Sequence, residues 1–273
     1  MHEDGHMTTD LMSPLVLGLM RIGALDDAEI RRLVGTARDA GVTIFDHADI
    51  YGGDHACERR FGDAGAVPAS ERDRVFIQSK VGIRQGFYDS SREHILASVD
   101  ASLDALGTDY LDLLLIHRPD ALVEPDEVAA AFDVLHAAGK VRAFGVSNHT
   151  PAQIALLQAS LDRPLIANQL QFGLKHAAPV AQGLVANVAG TDQAFDRDGS
   201  VYDHGRRHGI RLQAWSPLAD PATGARIVGT EAPEGDLSVA LQRLADVHGV
   251  TPTAIALAWV LRVPGGTQAV IGT

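Results

Sequence analysis

Short β-branched and apolar runs alternate with stretches of helical periodicity along most of the chain, and few folds accept that order. Runs at 15–22, 43–46, 75–80, 111–117, 141–147, 165–171, 211–215 and 268–271 read as strands. Helical stretches lie between them at 26–40, about 55–61, 91–106, 126–138, from Thr150-Pro151 onward, 201–208, 237–248 and 252–261. Their ends carry the expected signals. Asp26 and Asp27 suit an amino terminus and Gly41 a stop; Ile95, Val99, Leu103 and Leu106 recur at helical spacing before Gly107. Eight strands alternating with helices close most naturally as an α/β, single-domain (β/α)₈ TIM barrel, for which about 250 residues is typical. The rival doubly wound sheet wants Gly-x-Gly-x-x-Gly after an early strand, and the first run offers only Gly18 and Gly23. We expect a flexible tail over 1–10 and the barrel over 11–273. The pattern loosens at 172–200, read as a helical insertion over the barrel mouth with a loop at 196–199, and again in the Gly/Pro-rich stretch 217–236.

In such a barrel the carboxyl ends of the strands hold the active site, and three successive ends are rich in chemistry. The second strand runs into Phe45-Asp46-His47-Ala48-Asp49-Ile50-Tyr51-Gly52-Gly53; the third ends at Lys80; the fourth, with Asp112 as its one polar member, ends at His117. An acid, a phenol, an amine and an imidazole would then face one mouth. Taken singly, each has a plain structural explanation: a packed Tyr51, a capping Asp46, a solvated Lys80, a satisfied buried His117. Their shared placement favours catalysis.

The ordered set Phe-Asp-x-Ala-Asp-x-Tyr-Gly, Ser79-Lys80 and Ile116-His117-Arg118-Pro119-Asp120 resembles the aldo-keto reductase superfamily, most of all its bacterial YdhF-type branch, from about Leu15 to Thr273. The resemblance implies reduction of an aldehyde or ketone by NADP(H), with NAD(H) not excluded, and a division of labour that the residue types also suit. Tyr51 supplies the proton. Lys80 favours the phenolate and lowers the phenol's pKa from its ordinary value near 10. Asp46 holds Lys80, and His117 hydrogen-bonds the substrate oxygen. The resemblance also places Ser147, Asn148 and Gln169 on the nicotinamide carboxamide, Trp215 against its ring, and Ser216, Pro217 and Leu218 at the pyrophosphate, with Gly272 and Thr273 offering backbone groups to a phosphate. Asn148 could instead serve as a cap, and Trp215 as core. In similar proteins a basic loop and a helix follow the last strand. We therefore expect the native polypeptide to extend beyond Thr273, and Val270 and Ile271 to lack cover in this chain. The non-enzymatic, channel-associated members of the superfamily keep open an alternative: a cofactor-binding module without significant turnover.

Composition narrows the partners. A net charge of −12 over 273 residues argues against nucleic acid and anionic membranes. No apolar run approaches the ~20 residues of a membrane span, and the polar first ten residues lack a signal peptide's apolar core. Cys57 is the single cysteine, so no intrachain disulfide can form; we read it as buried packing and the protein as cytoplasmic. His47, Asp49 and His55 could suggest a metal, but barrel metallohydrolases usually draw ligands from the first strand, which here ends in Met20-Arg21, so no metal is expected; those two residues would line the mouth instead. The loops at 82–90, 172–200 and 218–236 would shape the substrate pocket. Oligomeric state is not legible.

Overall fold

The computed structural model describes residues 13–181, 197, 199–229 and 235–272; the expected tail at 1–10 and Thr273 lie outside them. Eight parallel strands close a barrel: β1 (Leu15–Gly18), β2 (Ile44–Asp46), β3 (Phe76–Val81), β6 (Leu111–Ile116), β7 (Val141–Ser147), β8 (Leu165–Gln171), β9 (Arg211–Trp215) and β10 (Gln268–Gly272), with β10 paired back to β1. The (β/α)₈ expectation is met. Two short strands, β4 (Ile83–Arg84) and β5 (Phe87–Tyr88), form an antiparallel hairpin beside β3 that the sequence reading took as loop. Two residues per strand carry too little periodicity to be seen.

Helices wrap the barrel: α1 (Asp27–Asp39), α2 (Ala56–Asp63), α3 (Arg92–Leu106), α4 (Pro125–Ala137), α5 (Pro151–Gln158), α6 (Ala178–Ala181), α7 (Val201–His208), α8 (Asp236–His248) and α9 (Pro252–Leu261). Local chemistry sets their starts. Asp26 and Glu29 make a capping box on α1, Ser91 caps α3, and Thr150 with Gln153 caps α5 ahead of Pro151. None of the described helices is singly long and apolar enough to cross a membrane.

Period-two alternation divides the core. Val16, Ile44, Phe76, Leu113, Leu115 and Val270 fill the barrel interior, while Leu17, Phe45, Ile77, Leu114 and Ile116 turn outward onto the helices. Val270 therefore keeps its cover, contrary to expectation, because its phase turns it inward; Ile271 is half-buried in a separate outer cluster. Asp112, the one polar residue of β6, is a structural staple: it accepts from Ile77 N, Arg72 and Arg142.

One boundary differs from the sequence reading, and two loosely patterned stretches are described only in part. The first strand stops at Gly18, because its register with β2 ends at the Gly18–Asp46 pair; the chain then turns through Met20 and Arg21 into a 3₁₀ helix, Ile22–Ala24. Within 172–200 the described residues are 172–181, 197, 199 and 200, and they hold α6; the rest of the expected insertion, 182–196 and 198, lies outside the description. In the stretch 217–236, the described part is folded back on itself by an Ala219–Arg226 bridge.

Candidate active site

Asp46 closes β2, Lys80 is the penultimate residue of β3, and His117 follows β6. These are adjacent parallel strands, so the three residues rise to the same end of the barrel. Tyr51 comes from the turn after β2, which the chain tightens with Tyr51 N donating to Ala48 O and Cys57 N to Tyr51 O. Gly52 and Gly53 hold φ of 74° and 85°, a left-handed region that glycine enters without a Cβ penalty. A Cβ on Gly52 would also meet Cys57 Sγ at 2.9 Å. Cys57 itself is buried under this turn, its thiol 3.3 Å from Met20 O.

Lys80 is fully buried, which excludes the solvated alternative. Its ammonium has three protons and three acceptors: Asp46 Oδ2 at 2.7 Å, His47 O at 2.8 Å and Tyr51 OH at 3.1 Å. The Asp46 oxygen left over, Oδ1, accepts from Gln78 at 2.5 Å and Gln169 at 2.9 Å. Asp46 is therefore no helix cap. His117 stands edge-on to Tyr51, ring centroids 5.9 Å apart.

Burial and neighbouring charge tune these groups. Burial pushes the Tyr51 phenol above its ordinary value, and the Lys80 ammonium opposes this without overcoming it. This corrects the expectation of a lowered phenol: Lys80 acts in the expected direction, but loss of solvation is the larger effect. For Lys80, burial acts downward, yet Asp46 and Tyr51 carry it above its usual value. His117 is pushed down to about 2 by burial, with Lys80 and Arg118 adding to the effect, so its ring is neutral near pH 7. Its Nδ1 is buried without a hydrogen-bond partner.

These groups open onto a cavity of about 240 Å³. Tyr51, His117, Ser147, Asn148, Gln169 and Trp215 line it, and Met20 and Arg21 line it as anticipated. Asn148 is not the helix cap, since Thr150 takes that role. Instead Asn148, at φ 60°, donates to Ser147 Oγ (2.8 Å) and accepts from Trp215 Nε1 (3.0 Å). The same bond, and its place on the cavity wall, exclude a purely core Trp215. An adjoining cleft of about 290 Å³ shares Arg21, Ser216 and Gly272 with the first and adds Pro217, Leu218 and Arg226. Sequence reasoning missed Arg226, a lone cation in a loop, and the buried Gln78 and Gln213. Each glutamine lies at an inward phase of its strand, and that phase was the available signal.

The suspected metal set disperses. His55 Nδ1 lies 2.5 Å from Glu58, Asp49 accepts from Ser98, and His47 packs edge-on to Phe61. Among the described residues no group of three or more His, Cys, Asp or Glu side chains could hold an ion.

Known proteins resemble this chain in sequence and in fold. Oxidoreductase YdhF of Escherichia coli (strain K12) is 41% identical over 246 residues, covering 86% of this chain and 74% of that protein. The 6-dehydroglucose reductase of Agrobacterium fabrum is 36% identical over 277 residues, covering 96% of this chain and 84% of its own. A thermostable aldo-keto reductase solved with the inhibitor epalrestat superposes with a TM-score of 0.74 at 28% identity, covering 96% of this chain and 85% of that one. The model of the aldo/keto reductase family matches residues 14–273, from the lead-in to β1 through the end of β10. A match that takes in every strand of the barrel makes the assignment direct: the chain belongs to the aldo/keto reductase family.

Proposed function

We propose that the protein reduces a small aldehyde or ketone to the alcohol with NADPH, using Tyr51 as proton donor. The observation that carries this reading is the single ammonium of Lys80 bridging Asp46 and Tyr51 at the floor of an open cavity. The raised phenol keeps its proton at neutral pH, as an acid must before it acts. Once the proton passes to the substrate oxygen, the phenolate left behind lies 3.1 Å from Lys80, which stabilises it. The neutral His117 ring carries one N–H; on Nε2 it donates to the same substrate oxygen and orients it. Asp46 fixes Lys80 against withdrawal.

The two adjoining clefts suit an elongated dinucleotide. Gln169 spends its amide protons on Asp46 and Gln213, so its carbonyl is the group left for a carboxamide N–H. Asn148 and Ser147 stand beside it, and Trp215 offers an indole face to a ring. Ser216, Pro217, Leu218 and Gly272 border the second cleft, where the Arg21 and Arg226 guanidiniums suit phosphate groups. When bound there, a nicotinamide supplies the hydride that no side chain can provide.

The test is Tyr51→Phe. It should keep NADPH binding and lose ~10² to 10⁴ in kcat, followed by cofactor absorbance on a carbonyl panel that includes 6-dehydroglucose, for which the Agrobacterium relative is named. Turnover within threefold of wild type would remove Tyr51 from the mechanism. Cofactor binding without turnover across the panel in the wild-type protein would favour a cofactor-binding module.

A further inference from the structure

The interior face of β3 climbs from Phe76 through Gln78 to Lys80, from apolar to amide to ammonium. Barrel interiors are usually filled by branched aliphatic side chains. Here, beneath the mouth, the level is polar: Gln78, Gln169, Gln213 and Gln268 are all essentially buried. Buried amides are costly unless bonded, and these bond to one another. Gln78 donates to Asp46 Oδ1 (2.5 Å) and Gln213 Oε1 (3.0 Å). Gln169 donates to Asp46 Oδ1 (2.9 Å) and Gln213 Oε1 (3.1 Å). Gln213 returns its two protons to Gln78 Oε1 (2.9 Å) and Gln268 Oε1 (3.0 Å), and Gln268 donates on to Ser13 O (2.8 Å).

The direction of every bond follows from one end. A carboxylate only accepts, so Gln78 and Gln169 must turn nitrogen toward Asp46. Gln213 must then turn its oxygen toward both of them and its nitrogen toward Gln78 Oε1 and Gln268 Oε1. The layer in return restrains rotation of the carboxylate: two amides hold Oδ1, which leaves Oδ2 for Lys80. Lys80 has one proton each for Oδ2, His47 O and Tyr51 OH. Its contact with the phenol therefore depends on where Oδ2 stands. We infer that Gln78, backed by Gln213, is a positioning residue that sets the Lys80–Tyr51 contact through the Asp46 carboxylate. Its consequence for turnover rests on the reductase reading; its consequence for the phenol does not.

The experiment compares Gln78→Leu, Gln213→Leu and Gln268→Leu in the full chain. Labelling with ¹³Cζ-tyrosine gives four resonances, one per tyrosine; the signal absent from Tyr51→Phe is Tyr51, and its position reports the hydrogen bond to Lys80. We expect the Tyr51 resonance to move by several linewidths in Gln78→Leu and less in Gln213→Leu. It should stay in place in Gln268→Leu, which touches Gln213 but not Asp46. The other three resonances should not move. With saturating cofactor, kcat should fall about tenfold for Gln78→Leu and KM for the carbonyl substrate should stay within about twofold, the pattern of a lost transition-state interaction. A layer that merely fills space would lower all three melting temperatures and leave Tyr51 unmoved, which would overturn the inference. If Gln78→Leu fails to fold, Gln78→Met and Gln213→Leu carry the same test, and an unmoved Tyr51 in both has the same meaning. A moved Tyr51 in a wild-type background that reduces no carbonyl would sink the reductase reading and keep the inference. Unchanged Tyr51 beside normal reduction would do the reverse.

Discussion

Ser79 and Lys80 are consecutive on β3, yet their side chains serve two buried polar clusters on opposite sides of the barrel wall. Inside, Lys80 joins Asp46 and Tyr51 at the floor of the cavity. Outside, Ser79 donates to Glu58 on α2 (2.5 Å), which also accepts from Ser102 on α3 (3.0 Å) and lies 2.5 Å from His55. Nearby, Ser98 donates to Asp49 (2.9 Å). Both clusters bury charge and hydroxyls. Burial pushes Glu58 up, but His55, His47 and Ser79 outweigh it and hold the carboxyl below its ordinary value. His55, which burial pushes down, is carried above its own ordinary value by Glu58. The difference lies in access. Tyr51 and Asp46 meet the cavity, whereas Glu58 is sealed between helices and barrel.

The outer cluster works on backbone. It anchors the segment that carries Tyr51, whose far end is held in left-handed conformations at Asp54 (φ 38°) and His55 (φ 60°). Such backbone costs of order 1 kcal/mol or more in non-glycine residues, and the bonds of Glu58 and Asp49 offset it. The same chemical groups thus line an open cavity on one face of a strand and hold backbone shape on the other.

Lys80→Met should break the inner cluster with the largest effect. Removing one partner of a buried pair leaves the Asp46 carboxylate uncompensated, which costs about 3–5 kcal/mol, measured by urea unfolding; turnover should vanish with it. Glu58→Ala leaves Ser79, Ser102 and His55 without their shared acceptor, about 1–3 kcal/mol for each such buried donor, yet it should leave kcat within about tenfold of wild type. A loss of turnover as deep as that of Tyr51→Phe would erase the distinction between the clusters.

The smallest effect is a slope. Burial raises Asp49 to about 6, despite its bond from Ser98, and lowers the adjacent His47 to about 4. The folded state keeps a proton on Asp49 that the unfolded chain loses, so this group makes stability fall as pH rises from about 4 to about 6. His47 acts oppositely: the unfolded chain takes up a proton that the folded state refuses, so stability rises from about pH 4 to 6.5. His117 and His149, also lowered by burial, add to the rise. Asp49→Asn should therefore steepen the rise between pH 4 and 6 by up to about 1.4 kcal/mol per pH unit. An unchanged slope in urea unfolding across that range would mean that Asp49 is ionised in the folded protein.

Much of this was readable in the residues. The strand runs, the amino-terminal signal at Asp26 and the glycine stop at Gly107 are local signals, each decided within a few residues, and they placed the barrel. Asp46, Tyr51, Lys80 and His117 were found because strand ends in such a barrel share one mouth. The β4–β5 hairpin was not found, being too short to show a period, and β1 was read too long because its end depends on where β2 ends.

Sequence by itself determined the order of elements and the residue types at the strand ends, because backbone propensity and side-chain period act over short distances. Only the tertiary structure decided how those residues meet. Whether the Tyr51 phenol is raised or lowered depends on burial weighed against one ammonium, and burial belongs to the whole barrel. The bond from Gln213 to Gln78 joins positions 135 residues apart, and which amide proton faces which oxygen follows from a carboxylate on a third strand. Long-range hydrogen bonding and desolvation have no local signature, so they appear only when the barrel closes.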